Sequence, residues 1–257
     1  MKTVIGNWKM NGLAAHVREA EAILAEFIKQ GLEVDVAVCP PATLVSRMAH
    51  ALADQPLRVG AQTCHTGRAG AHTGDVSAEM LADAGAKLVL AGHSERRADH
   101  HETNGCIRAQ AFAGLEAGLE VVVCLGESLA EHRAGDTLRV VEFQLSHSVP
   151  AGHSGFAVGR VTIAYEPVWA IGSGLTPTCA GIAEVHAHIK AVARRLTGPS
   201  APEVRVLYGG SVKPDNAAEI LATPGVDGAL VGGASLTVRD FLPILQAAHA
   251  AGLASRG

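Results

Sequence analysis

Eight short apolar runs, each followed by a longer amphipathic stretch, constrain this 257-residue chain more than any other feature. The runs fall at 3–9, 34–38, 58–62, 87–91, 120–125, 161–165, 204–208 and 229–231. They are nearly continuous in Val, Leu, Ile and Ala, the pattern of parallel strands buried on both faces. The stretches between them read as helices near 15–30, 44–52, 77–83, 106–117, 136–147, 182–196, 216–221 and 236–249. In the first, Ala20, Ile23, Leu24, Phe27 and Ile28 share one face, and Gly31 stops it. Strict alternation of strand and helix predicts an α/β fold. Eight such units at this length predict a closed (β/α)8 barrel rather than an open doubly wound sheet. No linker interrupts them, so one domain is expected over residues 1–257.

Composition removes several function classes. Charged residues make up 18% and apolar residues 48%, the opposite of the balance that keeps a chain disordered. A net charge of −4 without a basic stripe argues against a nucleic-acid binder. No apolar run approaches the length of a membrane span. Asn7, Trp8 and Lys9 break the first apolar run, so it does not read as a signal peptide. The five cysteines are odd in number and widely spaced, with no paired motif, which reads as reduced thiols in a cytoplasmic protein. Aromatic residues are only 4%, so the core is built from small aliphatics. Glycine is in surplus: 29 residues, against about 18 for an average chain of this length.

In a barrel of this kind, catalytic groups sit at the C-terminal ends of the strands. The polar residues at those points are Asn7 and Lys9, Gln62, His93 to Glu95, Glu127, Glu166, and Ser211 with Lys213. Glu166 directly follows an apolar strand, where a carboxylate is costly unless paired or wet. By itself it reads equally as a buried ion pair or as a base. His93 precedes a turn of helix at 94–97, whose dipole disfavours a cation. A neutral imidazole there can donate a hydrogen bond to a carbonyl oxygen. Lys9 is a lone cation suited to an anionic substrate and a developing oxyanion. Gly172 and Gly174 follow the sixth run, Gly209 and Gly210 close the seventh, and Gly232 and Gly233 close the eighth. Glycines on those loops let backbone N–H groups approach a phosphate. Together these groups suit proton abstraction beside a carbonyl in a small phosphorylated substrate, through an enediolate. No metal cluster competes: His100 and His101 are adjacent, and His186 and His188 point to different faces. All four read as solvated histidines, and neither metal nor cofactor is expected.

Six motifs follow one another along the chain: Gly6-Asn-Trp-Lys-Met-Asn11, Gly92-His-Ser-Glu-Arg-Arg97, Cys124-Leu-Gly-Glu127, Ala164-Tyr-Glu-Pro-Val-Trp-Ala-Ile-Gly172, Tyr208-Gly-Gly-Ser-Val212 and Val231-Gly-Gly-Ala-Ser235. In content and order the chain resembles the triosephosphate isomerases, which fold as a TIM barrel. The resemblance implies interconversion of dihydroxyacetone phosphate and glyceraldehyde 3-phosphate, a step of glycolysis and gluconeogenesis. It implies Glu166 as the base, His93 as a neutral electrophile, Lys9 with Asn7 at the substrate, and Glu95 beside the lysine. The neutral electrophile is a known case of such tuning in this family. The backbones of Gly172, Ser211, Gly232 and Gly233 match the phosphate cradle, and residues 167–178 match a lid. Residues 62–77 form a long loop, and long loops are usually functional. In the family this loop enters a second subunit, which implies a homodimer with Thr73 near the partner's site.

The chain departs from the pattern in places. Leu175 and Pro177 stand where the lid commonly carries lysine and alanine, and Pro177 is expected to stiffen the lid's second hinge. Thr63 and His72 replace a common asparagine and a common aromatic in the dimer loop. Two other readings compete: a paralogous isomerase of four-carbon sugar phosphates, and a non-catalytic phosphate-binding barrel. The intact 7–11 run favours the three-carbon substrate, and the presence of Lys9, His93 and Glu166 together disfavours the second.

Overall fold

The computed structural model describes residues 1–173 and 175–255, so Gly174 lies outside the described residues. Its strands are β1 (Thr3–Asn7), β2 (Asp35–Cys39), β3 (Leu57–Ala61), β4 (Leu88–Ala91), β5 (Glu120–Leu125), β6 (Val161–Tyr165), β7 (Val206–Tyr208) and β8 (Gly228–Val231). All pair in parallel, each with its neighbours in sequence, and β1 pairs β8 to close the barrel. Thr3 is opposite Asp35 on one side and Gly228 on the other.

The helices are α1 (Val17–Lys29), α2 (Ala42–Ala51), α3 (Ala78–Asp83), α4 (Ser94–Asp99), α5 (Asn104–Glu116), α6 (Leu129–Arg133), α7 (Thr137–Ser148), α8 (Ser154–Ala157), α9 (Cys179–Thr197), α10 (Ala217–Ala222) and α11 (Val238–Ala254). Strands β5 and β6 fall where the apolar runs place them, the other strand boundaries shift by one or two residues, and among the helices the last runs five residues beyond its expected end. Gly31 does end α1, with φ of 60°. Ser77 caps α3 by accepting from the Met80 N–H. Besides α4, which extends the turn expected at 94–97, two short helices have no counterpart in the apolar pattern. One, α6, is announced by a capping box in which Ser128 and Glu131 bond each other's backbone N–H. The other, α8, is a single turn capped by the His153 ring.

Strand side chains alternate between two buried layers. Ile5, Ala37, Leu88, Leu90, Val122, Ala164, Leu207 and Leu230 fill the barrel interior together with Cys39 and Cys124. Val4, Val36, Val89, Val121 and Ile163 face outward and pack under the helices. Residues with branched or small side chains at both sets of positions account for the unbroken apolar runs. At the N-terminal end of the strands, Arg58 and Arg205 each pair with both Asp35 and Glu120. These charges stitch the barrel floor, which leaves the opposite end for chemistry. Among the described residues no helix is long and apolar enough to cross a membrane.

One expectation is corrected. His186 is not solvated; it is fully buried on α9. Its Nδ1–H donates to the Gly225 carbonyl at 3.1 Å, its Nε2 has no hydrogen-bond partner, and its ring meets Tyr165 edge-on. Burial pushes its pKa down to about 4. The unfolded chain takes this proton below about 6.5, whereas the folded chain resists it until about 4. The folded state is therefore favoured most above pH 6.5, and roughly 3 kcal/mol of that stability is lost as pH falls to 4. His186→Asn keeps a donor towards Gly225 but removes the titration. We expect its melting temperature to fall less than that of the wild type between pH 6.5 and 4; parallel pH profiles would contradict this.

Candidate active site

The C-terminal ends of the strands open into a cavity of about 560 Å³. Asn7, Lys9, His93 and Glu166 line it, with Gly172, Ser211, Gly232 and Gly233 around the far part. The barrel thus gathers eight of the ten expected site residues from five strand ends. Glu95 lies just outside the cavity, and Thr73 stands on the exposed tip of the 62–77 loop.

Lys9 has an unusual backbone. Its φ is 52°, a left-handed value uncommon outside glycine and a cost that surrounding structure must offset. Here Asn7 Oδ1 accepts from the Lys9 N–H at 2.9 Å, and Gln62 Nε2 donates to the Lys9 carbonyl at 2.8 Å. Trp8 is buried, and its Nε1 donates to the Ser235 carbonyl, which ties the end of β1 to the loop after β8. The Lys9 ammonium is thereby aimed along the cavity wall beside Gly232 and held by Glu95 Oε1 at 2.6 Å. That ion pair is half-open to solvent and so contributes little to stability; its effect is to orient the lysine.

His93 caps α4 and is 7% exposed. Its Nδ1 accepts from the Glu95 N–H at 3.3 Å. An imidazolium has no acceptor, so this bond leaves the ring neutral with its proton on Nε2. The helix dipole acts in the same direction. Nε2 faces the cavity 3.3 Å from Glu166 Oε1.

Glu166 follows β6 and is 1% exposed. Its Oε2 accepts from the Ser94 N–H at 3.0 Å, while its Oε1 is buried with no hydrogen-bond partner. An orphaned carboxylate oxygen is costly in a folded protein, and here it belongs to a side chain that lines the cavity. Two glycines make room for it. A Cβ at Gly126 would sit 1.7 Å from the Glu166 carbonyl oxygen, and one at Gly209 would sit 2.8 Å from its Cγ.

Other residues act from behind. Arg97 was visible only as part of a motif; its guanidinium donates to the carbonyls of Gly92 and Cys124 and to Asn104, which fixes α4 against β5. Cys124 is buried beside Glu166, and burial with that carboxylate pushes its thiol well above the usual range. Nothing in the spacing of the cysteines points to this placement. Glu127 does not reach the cavity. It is fully buried and accepts from the Trp169 indole at 2.8 Å and from the Tyr165 hydroxyl. It therefore anchors the first part of the 167–178 segment. Lys213 adds a second cation at the rim beside Ser211.

A neutral N–H donor, an ammonium and a carboxylate with a bare oxygen face one space. Such a set can draw a proton from carbon while steadying the oxygen charge that results.

Comparison with known proteins agrees with this geometry. The triosephosphate isomerase family model matches residues 2–248. Triosephosphate isomerase of Ruegeria pomeroyi is 54% identical over 247 residues, covering 96% of each chain. That of Xanthobacter flavus is 50% identical over 244 residues, covering 95% of this chain and 96% of that one. The crystal structure of triosephosphate isomerase from Bartonella henselae matches with a TM-score of 0.87 and 43% identity, covering 96% of this chain and 98% of that one. Because the match in sequence and in fold runs almost from end to end, the chain belongs to the triosephosphate isomerase family.

Proposed function

We propose that this protein interconverts dihydroxyacetone phosphate and glyceraldehyde 3-phosphate through an enediolate. The Glu166 carboxylate carries the reading: the side chain lines the cavity, and its Oε1, which has no hydrogen-bond partner, lies 3.3 Å from His93 Nε2. Glu166 takes a proton from C1 of the ketose and returns it to C2. His93 Nε2–H donates to the carbonyl oxygen whose charge grows as the C–H bond breaks. Lys9, positioned by Asn7 and Glu95, offsets the substrate's dianion and the enediolate. The backbones of Gly172, Ser211, Gly232 and Gly233 hold the phosphate at the far part of the cavity. Residues 167–178 close over it, excluding water and suppressing loss of phosphate from the enediolate. One proton moves from C1 to C2 and a second from the C1 hydroxyl to the C2 oxygen by way of His93 Nε2, so no electrons leave the substrate and the chemistry calls for no redox carrier.

In the same reading the chain is one domain, acts in the cytoplasm and pairs with a second copy through the 62–77 loop. Eight consecutive exposed residues, 68–75, form the loop tip that such a partner would cover. A coupled isomerase assay with three- and four-carbon sugar phosphates tests the substrate. We expect kcat/KM for the three-carbon substrate to exceed that for the four-carbon one by about 100-fold. Equal values, or a preference for four carbons, would overturn the assignment.

A further inference from the structure

We propose that Gln144, which does not line the cavity, is a positioning residue for Glu166 and acts through the peptide that joins Leu125 to Gly126. The inference rests on the reading of Glu166 as the base. Gln144 lies on α7, whose Val141 and Leu145 are buried in the layer under the helices, so a rigid element delivers its side chain. The side-chain amide meets Gly126 in two bonds. Gly126 N–H donates to Gln144 Oε1 at 2.8 Å, and Gln144 Nε2 donates to the Gly126 carbonyl at 3.0 Å. The register of β4 with β5 ends at Ala91, opposite Val123. Beyond that pairing, the glutamine amide gives Gly126 the acceptor and donor that a strand would.

The Gly126 N–H and the Leu125 carbonyl belong to one planar peptide, and in a trans peptide they point in opposite directions. Gln144 holds one end of this unit. The other end accepts from the Glu166 N–H at 2.8 Å. One stiff group therefore links the amide of α7 to the backbone of the base. Hydrogen bonds in series polarise one another, so each strengthens the next. The next residue extends the link, because the Glu127 carbonyl accepts from the Val168 N–H at 3.0 Å.

Little slack exists between these parts. The Gly126 backbone lies so close to the Glu166 carbonyl oxygen that a shift at 126 passes directly to 166. The Ser94 N–H holds only the carboxylate end of Glu166. Gln144 fixes where that side chain begins. Without its two bonds the 125–127 segment can drift, and the carboxylate drifts with it. Proton transfer is steep in such a displacement.

Steady-state kinetics of Gln144→Met tests this. Methionine keeps the unbranched shape and removes both bonds. We expect kcat to fall about tenfold with KM within about twofold. The isotope effect on kcat, measured with dihydroxyacetone phosphate deuterated at C1, should rise, because proton transfer alone is slowed. Gln144→Asn keeps an amide that falls short by one methylene and should show the same two changes. Val141→Ala removes packing from the same helix and leaves the amide in place. It should lower the melting temperature and leave kcat and the isotope effect as in the wild type. Unchanged kcat or isotope effect in the Gln144 variants, with Glu166→Asp impaired in the same assay, would overturn the role of Gln144. The same changes in Val141→Ala would mean that loosening α7 suffices, and would overturn it too. Full activity in Glu166→Asp would overturn the base itself and this proposal with it.

Discussion

Replacing Glu166 with aspartate should lower kcat by about 10²–10³-fold and leave KM within a few-fold. Aspartate keeps the carboxylate and its charge but withdraws it by one methylene. Proton transfer needs the base within hydrogen-bond reach of the C–H, and a misplacement of about 1 Å costs about 10² in rate. The backbone cannot advance to compensate. Glu166 N–H is fixed to the Leu125 carbonyl at 2.8 Å, Gly126 lies against its carbonyl oxygen, and Pro167 follows it. The shortened side chain also gives up its bond from the Ser94 N–H. In the proposed reading, substrate binding rests on Lys9 and the glycine loops instead, so the loss is expected to fall on the chemical step. Unchanged kcat in steady-state assays would remove Glu166 from the role of base.

Lys9→Met should reduce kcat/KM by about 10³-fold, with kcat falling and KM rising together. Methionine resembles the lysine stem in shape and removes only the ammonium. Its cost has two sources. The charge that steadies the dianion and the enediolate is lost. Glu95 also stays behind at the cavity edge without its 2.6 Å partner, adding a repulsive charge. The backbone at φ 52° is equally strained with either residue, and Asn7 and Gln62 hold it through main-chain atoms. The variant should therefore melt near the wild-type temperature while being almost inactive. A fall in kcat with KM unchanged would show that Lys9 serves the transition state alone.

These two residues illustrate what was legible in the sequence. Glu166 and Lys9 stand out because each is a charged group at the end of an apolar run, and the barrel places such ends on one face. His93 is legible for a related reason, as a polar residue between a strand and a helical turn. Strands β5 and β6 could be bounded without the structure because their valine-rich runs stop abruptly at polar or proline residues.

What stayed hidden depends on pairings distant in sequence. Gln62 bracing Lys9 spans 53 residues, and Arg97 reaching the Cys124 carbonyl spans 27. No local pattern encodes either. His186 is a different case, because its signal was present. It falls four residues after Ile182 and three before Ile189, on the face of α9 that packs inward, and both isoleucines are fully buried. The polarity of histidine suggests a solvated face, whereas the helical spacing decides its burial. Thr73 illustrates a further limit. It stands at an exposed tip and does not line this chain's own cavity, so the role that the resemblance implies for it would need a second copy.

The central claim is that a carboxylate moves a proton between neighbouring carbons. Conversion of dihydroxyacetone phosphate in deuterium oxide, with the aldose trapped as it forms, tests this most directly. Even beneath the closed lid, a carboxylate that has taken a proton exchanges it with solvent in part of the turnovers before returning it. The predicted product therefore carries solvent deuterium at C2. An aldose free of solvent deuterium would mean that hydrogen passes directly from carbon to carbon as hydride, and would contradict the account.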